Sequence, residues 1–110
     1  MNLISKKFDC IIVGGGPAGS TFADIASQNG LSVLVLEKDR EIGVPVRCGE
    51  AVSDKGLRIF HSVEKEWINS IITRIRLVAP NETAIEFDLN ESGYILDRKI
   101  FDLALAKKAE

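Results

Sequence analysis

Three glycines, Gly14, Gly16 and Gly19, have the spacing G-x-G-x-x-G within the stretch VGGGPAGS. Between a strand and a helix, the first glycine permits a tight turn and the second lets a pyrophosphate approach the backbone. The third lets the helix pack closely on the strand. The N–H groups at the helix start would then face the phosphate charge. The pattern therefore predicts the phosphate-binding turn of a dinucleotide site.

Glu37 is the next residue with suitable chemistry, because it stands at the end of the second apolar run, LSVLVLEK. A carboxylate at this place accepts hydrogen bonds from ribose hydroxyls and repels a 2′-phosphate. FAD or NAD is therefore favoured over NADP, although the neighbouring cations Lys38 and Arg40 weaken this discrimination.

Cys48 lies in the short segment VPVRCGEAVS, directly after Arg47. The chain's other candidate zinc ligands of the Cys and His types are Cys10 and His61. The three residues do not have the number and spacing of a zinc site, so a metal site is not expected. A thiol has an ordinary pKa near 8.5 and can donate a proton, whereas an adjacent cation favours the thiolate. Both protonation states of Cys48 stay open.

The elements that must position these residues begin with a predicted buried strand over 8–13 and a helix from Pro17 to Asn29. Ala18, Phe22, Ile25 and Ala26 recur along that helix at helical spacing. A second strand over 31–38 completes a parallel βαβ unit of the Rossmann-like α/β class, whose crossover should be right-handed.

The remainder of the chain predicts smaller elements. A short helix should run from Ser53, as N-cap, to Phe60. Apolar and polar residues alternate in ITRIRLV and in TAIEFDL, which predicts the two strands of an antiparallel hairpin. GYIL should form a brief further strand. Asp97 should cap a helix that begins at Arg98 and buries Ile100, Phe101, Ala104 and Leu105.

Composition excludes several classes of protein. The chain of 110 residues has a net charge of -2, with 14 basic and 16 acidic side chains interspersed. This distribution provides no basic face for nucleic acid or anionic lipid. The N-terminal apolar run is too short for a secretory signal or a membrane span, so a cytoplasmic location is expected.

Three segments carry a family resemblance: GGGPAGS, LEKDREIGVPVRCGEAVS and GYILDRKIFDLALAKKA. In this order they closely resemble the N-terminal part of the geranylgeranyl reductases, a branch of the FAD enzymes related to para-hydroxybenzoate hydroxylase. The most specific match is P-x-x-C-G, at Pro45, Cys48 and Gly49. The resemblance implies FAD as the cofactor and an isoprenoid lipid as the substrate.

The resemblance also implies roles for individual residues. The pyrophosphate would lie over Gly14 to Gly19, with Pro17 and Ala18 in the turn, and Glu37, beside Lys38, would hold the adenosine ribose. Residues near the flavin would be Arg47, Cys48, Gly49 and Ala51, with Cys48 as the candidate proton donor. Arg98 would contact the cofactor, the alternative being a solvated cation. Glu50 would either orient Arg47 or a water near the flavin, or be solvated at the surface. Asp97 is favoured as a helix cap over a catalytic acid.

The resemblance covers residues 8 to 110, and family members are several times longer. We therefore expect residues 1–110 to be the N-terminal part of an FAD-binding domain, without the substrate domain. The implied electron donor is a ferredoxin or NAD(P)H, and lipid substrates imply peripheral membrane contact. Two alternatives stay open: a noncatalytic FAD-binding fragment and an FAD monooxygenase, against which the P-x-x-C-G segment argues.

Overall fold

The computed structural model describes residues 6–110, which form two compact units. The first unit comprises residues 6–46 and the C-terminal segment Arg98–Glu110. The second unit is the intervening segment Arg47–Asp97.

The first unit contains the predicted βαβ arrangement. Strand β1 (Cys10–Val13) pairs in parallel with β2 (Val33–Leu36), with Cys10 opposite Val33 and Val13 opposite Leu36. Helix α1 (Pro17–Gln28) connects the two strands, and Asn29 is its C-cap. Both strands are shorter than the apolar runs that predicted them.

Burial of β1 differs from the prediction of a fully buried strand. Cys10 and Ile12 are half-buried, whereas Ile11 is exposed and Val13 is 85% exposed. Successive side chains of a strand point to opposite faces. The face bearing Ile12 packs on α1, since a Cβ added at Gly19 would lie 3.2 Å from Ile12 Cγ2. The apolar composition of β1 therefore overstated its burial.

The buried face of helix α1 is not the one that carries its large apolar residues. Its buried residues are Ser20, Ala23, Asp24 and Ala26, whereas Phe22 and Ile25 are exposed. Of the apolar residues noted at helical spacing, only Ala26 is buried. Close packing leaves room for small side chains and excludes larger ones, and the Asp24 carboxylate is paired with Lys108 of the C-terminal helix.

Helix α3 (Arg98–Ala109) packs against α1 within the first unit. Phe101 and Leu105 are buried as predicted, and Ala104 is half-buried. Ile100 is exposed, so its predicted burial is wrong; the polar Asp102 is buried instead. The carboxylate of Asp102 is compensated by an ion pair, which is the condition under which a charge is tolerated inside.

The second unit is built on a three-stranded antiparallel sheet in the order β3-β5-β4. These strands are β3 (Ala51–Ser53), β4 (Ile68–Val78) and β5 (Ala84–Leu96). The predicted hairpin is present, but GYIL is the end of the long strand β5 rather than a separate strand. Strand β3 was not predicted, because three residues carry too little periodicity.

Short elements complete the second unit. Helix α2 (Asp54–Arg58) is capped as predicted, since Ser53 Oγ accepts the N–H of Gly56 at 3.0 Å. It ends two residues before the predicted Phe60. Trp67 ends a 3-10 turn and is buried, and His61 lies edge-on to it and is half-buried.

A polar cluster ties α2 to β5. The Tyr94 hydroxyl donates to Asp54 Oδ1, and Arg58 Nε donates to both oxygens of Asp54 at 2.9 and 2.8 Å. Tyr94 is buried, whereas Asp54 is half-buried. The hydroxyl is thus satisfied inside the unit, as a buried phenol requires.

Candidate dinucleotide-binding site

The glycine-rich turn leaves β1 at Val13 and enters α1 at Pro17. The N–H of Gly14 donates to the carbonyl of Leu36 at 2.8 Å, extending the parallel ladder by one residue. Gly14 has a φ of 108°, a conformation that side-chain-bearing residues rarely adopt. A Cβ on Gly19 would lie 2.0 Å from the Gly14 carbonyl oxygen. Glycine at 14 and 19 is therefore required by the turn itself.

Gly16 occupies a different environment. It is the N-cap of α1, with φ -71° and ψ -176°, and it makes no side-chain cap. A Cβ built on Gly16 would meet nothing within 4 Å. The first turn of α1 also contains no acidic residue that would oppose an anion. The backbone at Gly16 is thus open to a ligand phosphate, the role assigned to the second glycine of the pattern.

Glu37 is joined directly to this turn. Its Oε2 accepts the N–H of Gly15 at 2.7 Å, and its Oε1 accepts the N–H of Asp39 at 2.9 Å. These backbone bonds, with that from Asp39 the larger effect, hold the pKa of Glu37 below its ordinary value of 4.5. The predicted ribose-binding acid is therefore ionised at neutral pH and fixed beside the predicted phosphate turn.

Ser20 completes the turn and was not identified from the sequence. It is 2% exposed, and its Oγ donates to the carbonyl of Gly15 at 3.0 Å. The two peptide groups that flank the Gly15 Cα are therefore both fixed, one by Glu37 at the Gly15 N–H and the other by Ser20 at the Gly15 carbonyl. A serine in a first helical turn is usually solvated, so sequence alone offered no signal for this contact.

Arg98 is not a solvated cation, which was the alternative to a cofactor contact. Its Nε and Nη2 donate to Asp102 Oδ1 and Oδ2 at 2.7 and 2.9 Å. The side chains of Arg98 and Asp102 are 19% and 4% exposed. Asp102 was matched to a family motif but received no role from sequence reasoning. The i,i+4 spacing of an arginine and an aspartate was the available signal for this pair.

The start of α3 lies against the loop that follows β2. A Cβ on Gly43 would be 2.7 Å from the carbonyl oxygen of Arg98, so the two backbones are in close contact. Lys99 Nζ lies 2.6 Å from Glu41 Oε1. The start of α3 is thus anchored to the loop that follows β2 and Glu37.

The P-x-x-C-G segment places its reactive residues in the second unit. Cys48 is exposed and unpaired with Cys10, and its Sγ accepts the N–H of Glu50 at 3.4 Å. Glu50 has a φ of 66°, and its carbonyl accepts the N–H of Leu96 at 3.0 Å. Arg47, Gly49 and Ala51 are exposed around it.

Site residues thus divide between the two units. The first unit brings together Gly14, Gly16, Pro17, Ala18, Gly19 and Glu37, with Lys38 exposed beside Glu37 and Arg98 on α3. The second unit holds Arg47, Cys48, Gly49 and Ala51.

Over residues 6–110, no three or more His, Cys, Asp or Glu side chains are grouped so that they could hold a metal. Nor does this part of the chain contain a helix long and apolar enough to cross a membrane.

Comparison with known proteins extends these observations. The family of NAD(P)-binding Rossmann-like domains matches residues 12–75. The digeranylgeranylglycerophospholipid reductase of Methanocella arvoryzae is 44% identical over 110 residues, covering 96% of this chain and 28% of the relative. Digeranylgeranylglycerophospholipid reductase 1 of Methanococcoides burtonii is 45% identical over 108 residues, covering 94% of this chain and 26% of the relative. The chain thus spans little more than a quarter of the length of these relatives.

Solved structures show the same relationship. A geranylgeranyl bacteriochlorophyll reductase-like protein from Thermoplasma acidophilum matches with a TM-score of 0.83 and 40% identity, over 93% of this chain and 27% of that one. The flavin-dependent brominase Bmp2 shares the fold at 19% identity and a TM-score of 0.64, over 93% of this chain and 27% of its own. These matches confirm the predicted Rossmann-like fold and the resemblance to geranylgeranyl reductases.

Proposed function

This chain belongs to the family of NAD(P)-binding Rossmann-like domains, and we propose that it is the FAD-binding portion of a flavin-dependent reductase that saturates geranylgeranyl double bonds. The observation that carries the proposal is the glycine-rich turn whose Gly15 N–H is bound by Glu37. Identity of 44% to a digeranylgeranylglycerophospholipid reductase supports the choice of reaction.

The residues of the first unit fit the adenosine half of FAD. Gly16 leaves space above the backbone for a pyrophosphate, and Glu37 presents an ionised carboxylate for ribose hydroxyls. We assign the pyrophosphate to Gly14, Gly16, Pro17, Ala18 and Gly19. We assign the ribose to Glu37, with Lys38 beside it.

Residues near the flavin are assigned by the family resemblance. They are Arg47, Cys48, Gly49 and Ala51, with Arg98 as a further cofactor contact. Reduced FAD supplies a hydride equivalent for alkene reduction. The protein must then provide a proton, and the exposed Cys48 is our candidate donor. The N–H of Glu50 donates to its sulfur at 3.4 Å, and Arg47 precedes it in the chain.

The substrate proposed for the full activity is an isoprenoid membrane-lipid precursor, and the electron donor is a ferredoxin or NAD(P)H. We place the protein in the cytoplasm with peripheral contact to the membrane that holds its substrate. We assign residues 1–110 to the N-terminal part of an FAD-binding domain and the substrate domain to polypeptide outside them. Coverage of 26–28% of the relatives' lengths supports this assignment.

The same coverage favours one alternative for the 110 residues by themselves, a noncatalytic FAD-binding fragment. Titrating the chain with FAD, with binding monitored by flavin fluorescence and the visible spectrum, distinguishes the proposed function from this alternative. We expect weak saturable binding without reduction of geranylgeranyl lipids. Double-bond reduction by these 110 residues would contradict the domain assignment, and absence of any FAD binding would contradict the proposed function. NAD titrated in parallel tests the choice of dinucleotide.

A further inference from the structure

The ion pair between Arg98 and Asp102 is unusual for its burial. Both carboxylate oxygens of Asp102 accept from the guanidinium, at 2.7 and 2.9 Å, and the Asp102 side chain is 4% exposed. Exposed i,i+4 pairs on a helix contribute little to stability, and a buried pair carries a desolvation cost that an apolar pair avoids. Stability alone therefore gives a weak reason for this pair.

The position of the pair suggests a second reason. A further ion pair of α3, Lys108 with Asp24 at 3.1 Å, joins the far end of α3 to α1. The Arg98 pair lies in the first turn of α3, where Gly43 contacts the backbone and Glu41 pairs with Lys99. The pair thus lies where α3 meets the loop that follows Glu37 in the chain.

We propose that Asp102 is a positioning residue that fixes the guanidinium of Arg98 toward the bound dinucleotide; this inference rests on the proposed function. A guanidinium is planar, and its five N–H groups have fixed directions. Two nitrogens, Nε and Nη2, are aligned on Asp102, so the plane of the group is set and the direction of Nη1 with it. Asp102 therefore acts on the ligand through Arg98 and makes no contact with it.

A double-mutant cycle on the full 110-residue chain tests this inference, with FAD affinity measured by flavin fluorescence. We expect Asp102→Asn to weaken FAD binding about tenfold, the effect of losing one charge-assisted hydrogen bond. In an Arg98→Met background, Asp102→Asn should change affinity by less than about twofold, since its partner is already removed. A merely structural role would lower affinity in both backgrounds.

The matched control is Asp24→Asn, which removes the largely buried carboxylate that pairs with Lys108 near the other end of α3. It should lower the unfolding midpoint as Asp102→Asn does while leaving FAD affinity unchanged. An equal loss of affinity in the control would overturn the inference. A second measurement requires no variant: the Nε–H resonance of Arg98 in the nuclear magnetic resonance spectrum should shift when FAD is added.

The outcomes separate this inference from the proposed function. If the unmodified chain binds FAD while Asp102→Asn binds it equally well, the positioning role is wrong and the proposed function stands. If FAD binds but does not shift the Nε–H resonance of Arg98, the positioning role is likewise wrong and the proposed function stands. If the unmodified chain binds no FAD, both are wrong.

Discussion

The carboxylate of Glu37 accepts the backbone N–H of Gly15 at 2.7 Å, so the residue predicted to bind ribose is already attached to the turn predicted to bind phosphate. A second backbone bond, from Asp39 at 2.9 Å, fixes the other oxygen. Each carboxylate oxygen has two lone-pair directions, so these bonds leave acceptor capacity for ribose hydroxyls. A site ordered before ligand arrives loses less entropy on binding.

Acidification should release the link between Glu37 and Gly15. Backbone hydrogen bonds from Asp39 and then Gly15 lower the pKa of Glu37 below 4.5. A depressed carboxyl pKa stabilises the fold fully above pH 4.5, and this contribution is lost as the pH falls through the folded pKa. Following the Gly15 amide resonance during an acid titration should give a midpoint below 4.5. Glu37→Gln should abolish the transition, whereas Glu64→Gln, in the second unit, should leave it unchanged.

Alanine at the second and third glycines should separate binding from folding. Gly19→Ala places a Cβ 2.0 Å from the carbonyl oxygen of Gly14 and should disrupt the turn, which circular dichroism and a lowered unfolding midpoint would report. Gly16→Ala meets nothing within 4 Å and should leave the fold intact while reducing FAD affinity. A Gly16→Ala chain that binds FAD normally would contradict the assigned path of the pyrophosphate.

Ser20→Ala should cost about 1 kcal/mol of unfolding free energy, because it removes a buried hydrogen bond to the carbonyl of Gly15. Ser27 provides a matched control on the same helix, since its Oγ donates to the carbonyl of Asp24 at 3.0 Å from an exposed position. Ser27→Ala should cost a few tenths of a kcal/mol. Urea unfolding of the two variants measures the difference, and equal costs would argue against a special role for Ser20.

FAD should protect Cys48 from alkylation if this residue borders the flavin. Cys48 is exposed, so iodoacetamide should modify it readily in the unliganded chain. Cys10 is half-buried on β1 and serves as an internal reference. We expect saturating FAD to slow modification of Cys48 relative to Cys10, as measured by mass spectrometry of the peptides. Equal rates with and without FAD would remove Cys48 from the flavin site.

The single tyrosine of the chain should ionise at unusually high pH. The hydroxyl of Tyr94 donates to Asp54, and this bond, followed by burial, raises the pKa of Tyr94 above 10.0. A raised pKa stabilises the fold below pH 10.0, and that contribution is lost as the pH rises through the folded value. Absorbance at the phenolate band follows Tyr94 alone, since the chain has one tyrosine. Asp54→Asn should move the midpoint back toward 10.0.

The sequence predicted the βαβ unit and the Gly14 to Glu37 arrangement because each depends on local signals: glycine spacing, strand ends and helix caps. It could not predict that Ile100 is exposed and Asp102 buried, because hydropathy ranks these residues in the opposite order. The burial of Asp102 depends on its ion pair with Arg98, and the face of α3 that is buried depends on packing against α1. Ser20 was missed because its bond to the Gly15 carbonyl depends on the conformation of the turn, and β3 because it is defined by pairing with the distant strand β5.

The open space above Gly16 has a consequence for how this sequence would drift under selection. Substitution at Gly14 or Gly19 is opposed by the chain's own backbone, so a library selected for foldedness alone should retain glycine at both positions. No such force acts at Gly16, and the same library should accumulate alanine and serine there. Only selection for cofactor retention would restore glycine, so the residue at position 16 reports ligand binding independently of stability.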